Sequence, residues 1–382
     1  MDFESLFDIP IDDLHTPCYL TDARLLQKNT ALLKQIQQRT GCKILLAQKA
    51  FSMFSAYPLI RDDLAGTTAS GLFEAKLGRE HFGKEVHVFS PAYTQEDFTQ
   101  LLELCDHIVF NSFGQWKKYR QQVQDATRNI SCGIRINPGY AEVETDLYNP
   151  CISGSRMGVP LEQMEDDFAG LDGIHFHTMC EQNSDVLERT LDHMLPQFDK
   201  WLKRCKWVNF GGGHHITRPD YDVERLGRCI ERVRDTYGVQ VYLEPGEAVA
   251  LNAGYLVATV LDVVHNGMDI AILDASAACH MPDVLEMPYR PHILYSGTAG
   301  EKTHTYRLAG NTCLAGDVIG DYSFDHQLQA GEKLVFCDMA IYSMVKNNTF
   351  NGVPLPDIAL YQNGHIDLVK RFGYADFEGR LS

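Results

Sequence analysis

The segment Lys43-Ile-Leu-Leu-Ala-Gln-Lys49 places a lysine just after a short apolar run. Residues 44–47 have the continuous apolar character of a buried parallel strand. In a β/α barrel, the residue at the carboxyl end of a strand faces the active-site mouth. Burial there would lower the pKa of the amine and free it to attack a carbonyl group. The pattern predicts that Lys49 links covalently to a substrate or to an aldehyde cofactor, rather than lying on the surface.

Other chemical groups stand where further strands are predicted to end. His177 ends the sixth strand, glycines 211–213 follow the seventh, and Glu244 ends the eighth. Glycines allow backbone N–H groups to approach a phosphate closely, and barrel phosphate sites commonly follow strands seven and eight. A carboxylate against a pyridine nitrogen keeps that nitrogen protonated and makes the ring a better electron sink. Taken singly, the glycines could form a flexible turn and Glu244 could cap a turn, whereas their positions at strand ends favour a pyridoxal phosphate site.

The two histidines of His175-Phe-His177 point to opposite faces of a strand, so they cannot bind one metal ion together. The sequence also contains no C-x-x-C or H-E-x-x-H motif. We therefore expect no metal site. His177 is interpreted as a ring stacked on the cofactor and His175 as a core or barrel-lining residue, while His214 and His215 stay ambiguous.

Two residues of the C-terminal region could complete the site. Cys313 lies in the glycine-bounded loop at residues 310–317, where a thiol can act as an acid near a reacting carbon. Most free cysteines are instead small buried hydrophobes. Tyr342, in the segment Asp338-Met-Ala-Ile-Tyr342, carries a hydroxyl that could donate a hydrogen bond to a phosphate.

Alternating strands and helical segments must position these residues. Eight βα units over about 200 residues predict a TIM-like (β/α)8 barrel across residues 22–250. Residues 1–21 and 251–382 are predicted to form a second, mostly β domain, to which the strand at 18–20 is added. The barrel strands are expected at 44–47, 66–69, 86–90, 107–111, 133–137, 173–177, 207–210 and 241–244. Strands of the β domain are expected at 255–264, 268–274, 303–308, 333–336 and 365–370, with a helical turn near 282–287.

The composition of the 382 residues is ordinary for an enzyme, with 45% hydrophobic and 22% charged residues. A net charge of −17 argues against a nucleic-acid partner and favours cationic ligands. The chain has no apolar run long enough to span a membrane and starts with no recognisable signal peptide. Its eleven cysteines without a C-x-x-C pair fit the reducing cytoplasm.

Taken in order, these motifs resemble the fold type III pyridoxal phosphate decarboxylases, a group that includes ornithine, arginine and diaminopimelate decarboxylases and, more distantly, alanine racemase. The resemblance runs from about residue 16 to 376 and is strongest to the branch that decarboxylates carboxynorspermidine and carboxyspermidine. The segments that carry it are Leu46-Ala-Gln-Lys49-Ala-Phe, Tyr148-Asn-Pro-Cys-Ile-Ser-Gly-Ser-Arg156-Met-Gly, Gly173-Ile-His-Phe-His-Thr-Met-Cys-Glu181, Gly211-Gly-Gly, Glu244-Pro-Gly-Glu247-Ala, Gly310-Asn-Thr-Cys313 and Asp338-Met-Ala-Ile-Tyr342.

The resemblance implies a role for each matching residue. It implies that Lys49 binds the cofactor covalently, His177 stacks on its ring and Glu244 faces its nitrogen, with Gly212, Gly213 and Tyr342 near its phosphate. Cys313 would reach the site from the other subunit of a homodimer. Three features depart from the family pattern: Glu247 replaces an arginine, Leu314 replaces an aspartate, and Ser70 and Glu74 are spaced one residue differently. The arginine partner of the phosphate therefore stays unassigned.

The substrate implied by the resemblance is a polyamine precursor with two cationic amines beyond its amino-acid end. Buried cations require paired carboxylates, which favours Glu247 and Asp283 as substrate-binding residues and leaves Asp274 and Glu286 as weaker candidates. Diaminopimelate decarboxylation is the main alternative, but a distal carboxylate would call for a positive partner. A racemase would need a second base, usually a tyrosine, where Cys313 stands, and a non-catalytic cofactor carrier would not need Lys49, Glu244 and Cys313 together.

Overall fold

The computed structural model describes Glu4 and residues 7–382, so part of the segment 1–21 that is predicted to join the β domain lies outside the described residues. The chain divides into two compact units. We call Gln27–Val249 the barrel unit, and the residues up to Leu26 together with Ala250–Ser382 the sheet unit. Helix α1 (Ala23–Thr40) crosses the boundary between them. Among the described residues, no helix has the length and apolar character needed to cross a membrane.

Eight parallel strands close the barrel unit, as the sequence predicts. Each strand pairs with its neighbours, and β5 pairs with β6 to complete the ring. The short strand β7 (Val159–Pro160) adds to β6 outside the ring. The barrel strands are β2 (Lys43–Ala47), β3 (Gly66–Ala69), β4 (Glu85–Phe89), β5 (His107–Phe110), β6 (Ser131–Asn137), β8 (Gly173–His175), β9 (Trp207–Asn209) and β10 (Gln240–Leu243).

The helices between these strands begin at residues suited to capping. Thr94 and Ser112 each accept a backbone N–H of the first helical turn through the side-chain oxygen. The barrel helices are α2 (Tyr57–Ile60), α3 (Leu72–Leu77), α4 (Gln95–Leu104), α5 (Phe113–Gln124), α6 (Ser184–Leu202) and α7 (Val223–Tyr237). A π-helical turn, Gly78–Phe82, continues α3, and the short helix α8 (Glu247–Ala250) follows β10 at the unit boundary.

Among the described residues, nine strands form one sheet in the sheet unit, in the order β13-β15-β14-β12-β11-β1-β17-β18, with β16 paired to β11. The predicted addition of the first strand is confirmed, because β1 pairs antiparallel with β11 and parallel with β17. The strands are β1 (Cys18–Asp22), β11 (Gly254–His265), β12 (Asp269–Leu273), β13 (Gly297–Thr298), β14 (His304–Ala309), β15 (Val318–Phe324), β16 (Lys333–Cys337), β17 (Asp357–Gln362) and β18 (His365–Lys370).

Short helices interrupt this sheet unit: α9 (Ala277–His280), α10 (Asp283–Glu286), α11 (Ser343–Lys346) and α12 (Tyr374–Glu378). Helix α10 confirms the predicted helical turn at 282–287. An apolar core holds the sheet, with Leu20 of β1 packed among Tyr255, Val257 and Val335 of the neighbouring strands. Strands β13, β15 and β17 were not predicted from the sequence.

Candidate active site

Lys49 lies two residues beyond β2, at the carboxyl end of the barrel strands. Solvent reaches its side chain, yet protein atoms enclose the amine closely enough that burial is the largest influence on its pKa. Burial lowers the pKa of Lys49, and the positive charge of Arg135 lowers it further, while Glu244 acts in the opposite direction. A lysine with a lowered pKa is the nucleophile that covalent attachment to an aldehyde requires.

Glu244 is buried one residue beyond β10 and is held by two neighbouring strands. Its Oε1 accepts a hydrogen bond of 2.8 Å from Nδ2 of Asn209, and its Oε2 lies 3.1 Å from Nε2 of His175. Burial alone would raise the pKa of Glu244, but the contacts with His175 and Asn209, together with the charge of His87, lower it to about 2. Glu244 is therefore ionised at neutral pH and can face a protonated ring nitrogen.

His177 is fixed by the glycine turn. Its Nδ1 accepts a hydrogen bond of 2.9 Å from the backbone N–H of Gly212, so the proton of the neutral ring is on Nε2. Burial lowers the pKa of His177 well below its ordinary value, and the positive charges of Lys49 and Arg135 lower it further. The ring is therefore a neutral, oriented plate, which suits stacking on an aromatic cofactor.

The glycine turn must lack side chains because it packs against the neighbouring backbone. A Cβ atom on Gly212 would lie 2.5 Å from the carbonyl oxygen of Glu244, and one on Gly213 would lie 2.0 Å from that of Met179. Gly213 also has a φ of +82°, which glycine adopts without strain. Since the N–H of Gly212 is already donated to His177, the role of this glycine in the structure is close packing.

Arg135 on β6 belongs to this group, although the sequence analysis did not single it out. Its guanidinium is buried, lies over the ring of Phe89 at 4.6 Å from the centroid, and donates a 3.4 Å hydrogen bond to the carbonyl of His177. Burial lowers its pKa to about 10, while Glu244 opposes that shift. An arginine within an otherwise apolar buried strand was the available signal.

Glu74 occupies the position where the sequence departs from the family spacing. Its Oε2 accepts a 2.6 Å hydrogen bond from the backbone N–H of Ser70, which closes the turn between β3 and α3. Burial raises the pKa of Glu74, while Ser70 and the charge of Lys49 lower it. The altered spacing therefore still brings a carboxyl group into the electrostatic surroundings of Lys49.

Glu247 starts α8, three residues beyond Glu244. Its Oε2 lies 2.9 Å from Nε2 of His215, and both side chains are mostly shielded from solvent. The barrel unit thus brings together six of the predicted site residues: Lys49, His177, Gly212, Gly213, Glu244 and Glu247.

The other three predicted residues lie in the sheet unit. Cys313 is exposed, and its backbone N–H donates a 2.7 Å hydrogen bond to Oδ1 of Asn351. Asp317, at the end of the same loop, is buried and accepts hydrogen bonds of 2.8 Å from Oγ of Ser276 and 2.6 Å from Oγ1 of Thr312. The loop therefore presents the thiol from a fixed backbone.

Asp283 begins helix α10, and Tyr342 directly precedes helix α11. The carboxylate of Asp283 forms an ion pair with Lys346, which also binds Glu286 at 2.7 Å, so one ammonium group is shared by two carboxylates. Asp274, a weaker candidate, accepts hydrogen bonds from Thr16 and from the backbone of β11 and has a structural role. Tyr342 precedes α11 with a φ of +54°, a left-handed backbone that is uncommon outside glycine.

Comparison with known proteins decides the family. The family model of the pyridoxal-dependent decarboxylases, described for their C-terminal sheet domain, matches residues 18–340. The chain belongs to the pyridoxal-dependent decarboxylases. Its cofactor is pyridoxal phosphate, as the sequence predicts.

Relatives of this decarboxylase extend over nearly its whole length. It is 42% identical to the carboxynorspermidine/carboxyspermidine decarboxylase of Campylobacter jejuni, over 97% of this chain and 99% of the relative. It is 41% identical to the carboxyaminopropylagmatine decarboxylase of a Synechocystis species, over 97% of this chain and 96% of the relative. The crystal structure of carboxynorspermidine decarboxylase from Campylobacter jejuni, complexed with norspermidine, aligns with a TM-score of 0.89 at 41% identity, covering 96% of this chain and 100% of that chain.

The residues of the barrel unit fit this cofactor chemically. An enclosed lysine with a lowered pKa, an ionised buried carboxylate and a neutral oriented imidazole suit the aldehyde, the ring nitrogen and the ring face, respectively. A buried hydroxyl, Thr178 Oγ1, adjoins His177 and has no hydrogen-bond partner among the described residues. The barrel unit thus holds groups suited to the aldehyde, the ring nitrogen and the ring face of pyridoxal phosphate.

Proposed function

We propose that this decarboxylase acts on carboxynorspermidine, carboxyspermidine or both, and releases norspermidine or spermidine for polyamine biosynthesis. The observation that carries the proposal is Glu247, a carboxylate three residues from Glu244 at the cofactor site. Beyond its amino-acid end, carboxynorspermidine has a secondary and a primary amine, both cationic near neutral pH. A carboxylate at this point attracts such a chain and repels a substrate with a distal carboxylate.

Each residue of the barrel unit has a defined part in this reaction. Lys49 would hold pyridoxal phosphate covalently through its amine. When bound, pyridoxal phosphate accepts the electron pair that the departing CO₂ leaves behind. Glu244 stabilises the positive charge at the ring nitrogen, and His177 holds the plane of the ring through its bond to Gly212. Gly213 and Tyr342 are assigned to the surroundings of the phosphate.

We further propose that the enzyme is a cytoplasmic homodimer in which Cys313 serves the site of the partner subunit. The exposed thiol on a hydrogen-bonded loop supports a role as the acid that protonates the carbon which has lost CO₂. All eleven cysteines are free thiols, which supports a reducing compartment.

The two carboxylates proposed to bind the substrate, Glu247 and Asp283, differ in the partners that they already have. Lys346 already pairs with Asp283, so a substrate amine at Asp283 would have to compete with a lysine of the same chain. Glu247 lies 2.9 Å from a ring nitrogen of His215 and, among the described residues, forms no ion pair with a lysine or an arginine. We therefore assign the stronger contribution to Glu247 and the weaker one to Asp283.

Product identification tests this function. The purified holoenzyme is incubated separately with carboxynorspermidine, carboxyspermidine, carboxyaminopropylagmatine and meso-diaminopimelate, and the amines are identified by mass spectrometry. We expect norspermidine and spermidine to accumulate, and Lys49→Ala to produce neither. Turnover of meso-diaminopimelate to lysine without turnover of the carboxylated triamines would overturn the proposal.

A further inference from the structure

A row of four contacting side chains begins at the surface of the barrel unit and ends at Glu247. Asp220 accepts hydrogen bonds of 2.9 and 2.8 Å from the guanidinium of Arg218. Another nitrogen of Arg218 lies 3.3 Å from Nδ1 of His215, and Nε2 of His215 lies 2.9 Å from Oε2 of Glu247. Asp220 and Arg218 are partly exposed, whereas the relative exposure of His215 is only 6%. This row therefore connects solvent to the shielded carboxylate of Glu247.

The direction of these bonds fixes the state of His215. A guanidinium carries only donors, so Nδ1 of His215 must accept, and the proton of the neutral ring is on Nε2. That nitrogen is buried and lies 2.9 Å from Oε2 of Glu247; the contact is electrostatic, since it lacks the geometry of a regular hydrogen bond. His215 thus presents a polarised N–H edge to Glu247 and to the space beside it.

A second carboxylate faces the same space. One oxygen of Glu181, one oxygen of Glu247 and a ring nitrogen of His215 all lie within 4.8 Å of one another. Both acids influence the neighbouring thiol of Cys180. Burial raises the pKa of Cys180, the charges of Glu181 and Glu247 raise it further, and Lys49 lowers it, which gives a value of about 11. Glu181 and Glu247 therefore form an acidic pair beside Cys180, a residue that Lys49 also influences.

Two carboxylates at this separation repel each other, and a cation between them removes the repulsion. A divalent metal bound at Nε2 would need the proton on Nδ1 of His215, where Arg218 offers only donors. An ammonium group places no such demand, since it donates to carboxylate oxygens alone. The geometry therefore favours an organic cation over a metal ion.

We propose that Glu181 and Glu247 seat one ammonium group of the substrate, and that His215, with its tautomer set by Arg218, is the positioning residue that holds Glu247 in place. The inference rests on the proposed function and specifies how that site recognises a polyamine. Glu181 and Glu247 contact the substrate, whereas His215 and Arg218 act through Glu247.

The test uses the holoenzyme with four variants. His215→Phe removes the N–H, and His215→Gln retains an amide donor. Arg218→Met removes the group that sets the tautomer. Arg225→Met is the control, because this partly exposed arginine pairs with Glu188 and Asp222 and does not contact the row. The measurements are kcat and KM for carboxynorspermidine, the affinity for norspermidine by calorimetry, and the absorption spectrum and dissociation constant of the cofactor.

We expect His215→Phe to raise KM and weaken norspermidine binding by about 10- to 100-fold with kcat within about twofold, as for a lost charge-assisted contact. His215→Gln should recover most of the affinity, Arg218→Met should lose roughly 3- to 10-fold, and Arg225→Met should match the wild type. The cofactor spectrum and affinity should stay unchanged in all four variants.

Three results would overturn the inference. Wild-type KM and norspermidine affinity in His215→Phe and Arg218→Met would show that His215 and Arg218 do not position Glu247. Weakened cofactor binding in these variants would assign the cluster to the phosphate. Loss of activity with a chelator, restored by zinc or manganese alone, would assign it to a metal. If the wild type turns over no carboxylated triamine, the proposed function fails, and the calorimetric comparison of wild type and His215→Phe alone still decides the ammonium seat.

Discussion

Nε2 of His175 lies 3.1 Å from Oε2 of Glu244, and both side chains are buried inside the barrel. Burial lowers the pKa of His175, although the charge of Glu244 and its hydrogen bond oppose this shift. A neutral His175 that donates from Nε2 holds the carboxylate without cancelling its charge. Glu244 therefore stays anionic and oriented, which is the state required to stabilise a protonated ring nitrogen.

Replacing Glu244 with glutamine tests that role. The amide fills the same space but has no charge, so the ring nitrogen loses its counter-ion and the cofactor becomes a poorer electron sink. We expect kcat to fall on the order of 100-fold or more, as for the loss of one preorganised electrostatic contact. Steady-state kinetics and cofactor absorbance measure the effect. A kcat within threefold of wild type, with the cofactor fully bound, would contradict the assignment.

Lys49 should be the residue that carries the cofactor. Borohydride reduction of the holoenzyme followed by digestion should yield a pyridoxyl-lysine peptide containing Lys49, because this amine is enclosed and has a lowered pKa. Lys49→Ala should lose the adduct and nearly all turnover. Lys43, which is paired with Glu85 at the other end of the same strand, provides an internal control and should stay unmodified. An adduct on any lysine other than Lys49 would refute the assignment.

Shared active sites predict complementation between inactive chains. A Lys49→Ala chain mixed with a Cys313→Ala chain should regain activity, because one of the two sites in the hybrid dimer is intact. With equal chains and free exchange, recovery should approach about a quarter of wild type, from two sites per dimer and half of the dimers hybrid. Each variant alone is the control. Proven subunit exchange without recovered activity would show that the sites are not shared.

His280 should make the sheet unit sensitive to acid. Its Nδ1 accepts from the backbone N–H of Ser276 and its Nε2 donates to the carbonyl of Pro354, so a second ring proton would meet a donor. Burial lowers the pKa of His280 to about 4. The unfolded state, with its ordinary histidine pKa of about 6.5, then binds more protons between these pH values, so stability falls as pH decreases from 6.5 to 4.

The expected loss across that interval is about 3 kcal/mol from His280 alone. Urea unfolding at several pH values, followed by circular dichroism, measures it; tryptophan fluorescence does not serve here, since Trp116, Trp201 and Trp207 all lie in the barrel unit. His280→Gln retains one donor and one acceptor but does not titrate, so its stability should depend less on pH. The same pH slope in His280→Gln and wild type would exclude this origin of the acid sensitivity.

The barrel was predictable from the sequence because its strands are short, buried and apolar. Strand β2 begins one residue before the predicted start, and β9 lies within the predicted range. The positions of Lys49 and Glu244 then followed from the rule that site residues stand at the carboxyl ends of barrel strands. Strands β15 and β17 were missed because Gly320 and Asp321 in β15, and Asp357 in β17, break the apolar pattern that identifies a strand.

The partners of the site residues were less predictable, since they depend on side-chain contacts between distant strands. Asn209 holds Glu244 from 35 positions away, and Arg135 joins the site from β6. The sequence also could not show that Lys346 pairs with Asp283, because only the folded sheet unit brings them together. His215 was left ambiguous for the same reason: its role depends on Arg218 and Glu247 together.

The central claim is that charge selects a carboxylated polyamine at a lysine-bound cofactor, and one comparison tests it most directly. The measurement is the ratio of kcat/KM for carboxynorspermidine to that for meso-diaminopimelate, in wild type and in Glu247→Gln. The ratio should strongly favour carboxynorspermidine in wild type. It should fall in Glu247→Gln because kcat/KM for carboxynorspermidine loses about 2–4 kcal/mol of transition-state stabilisation, while the cofactor spectrum stays the same. A wild-type ratio below one, or an unchanged ratio in Glu247→Gln, would contradict the account.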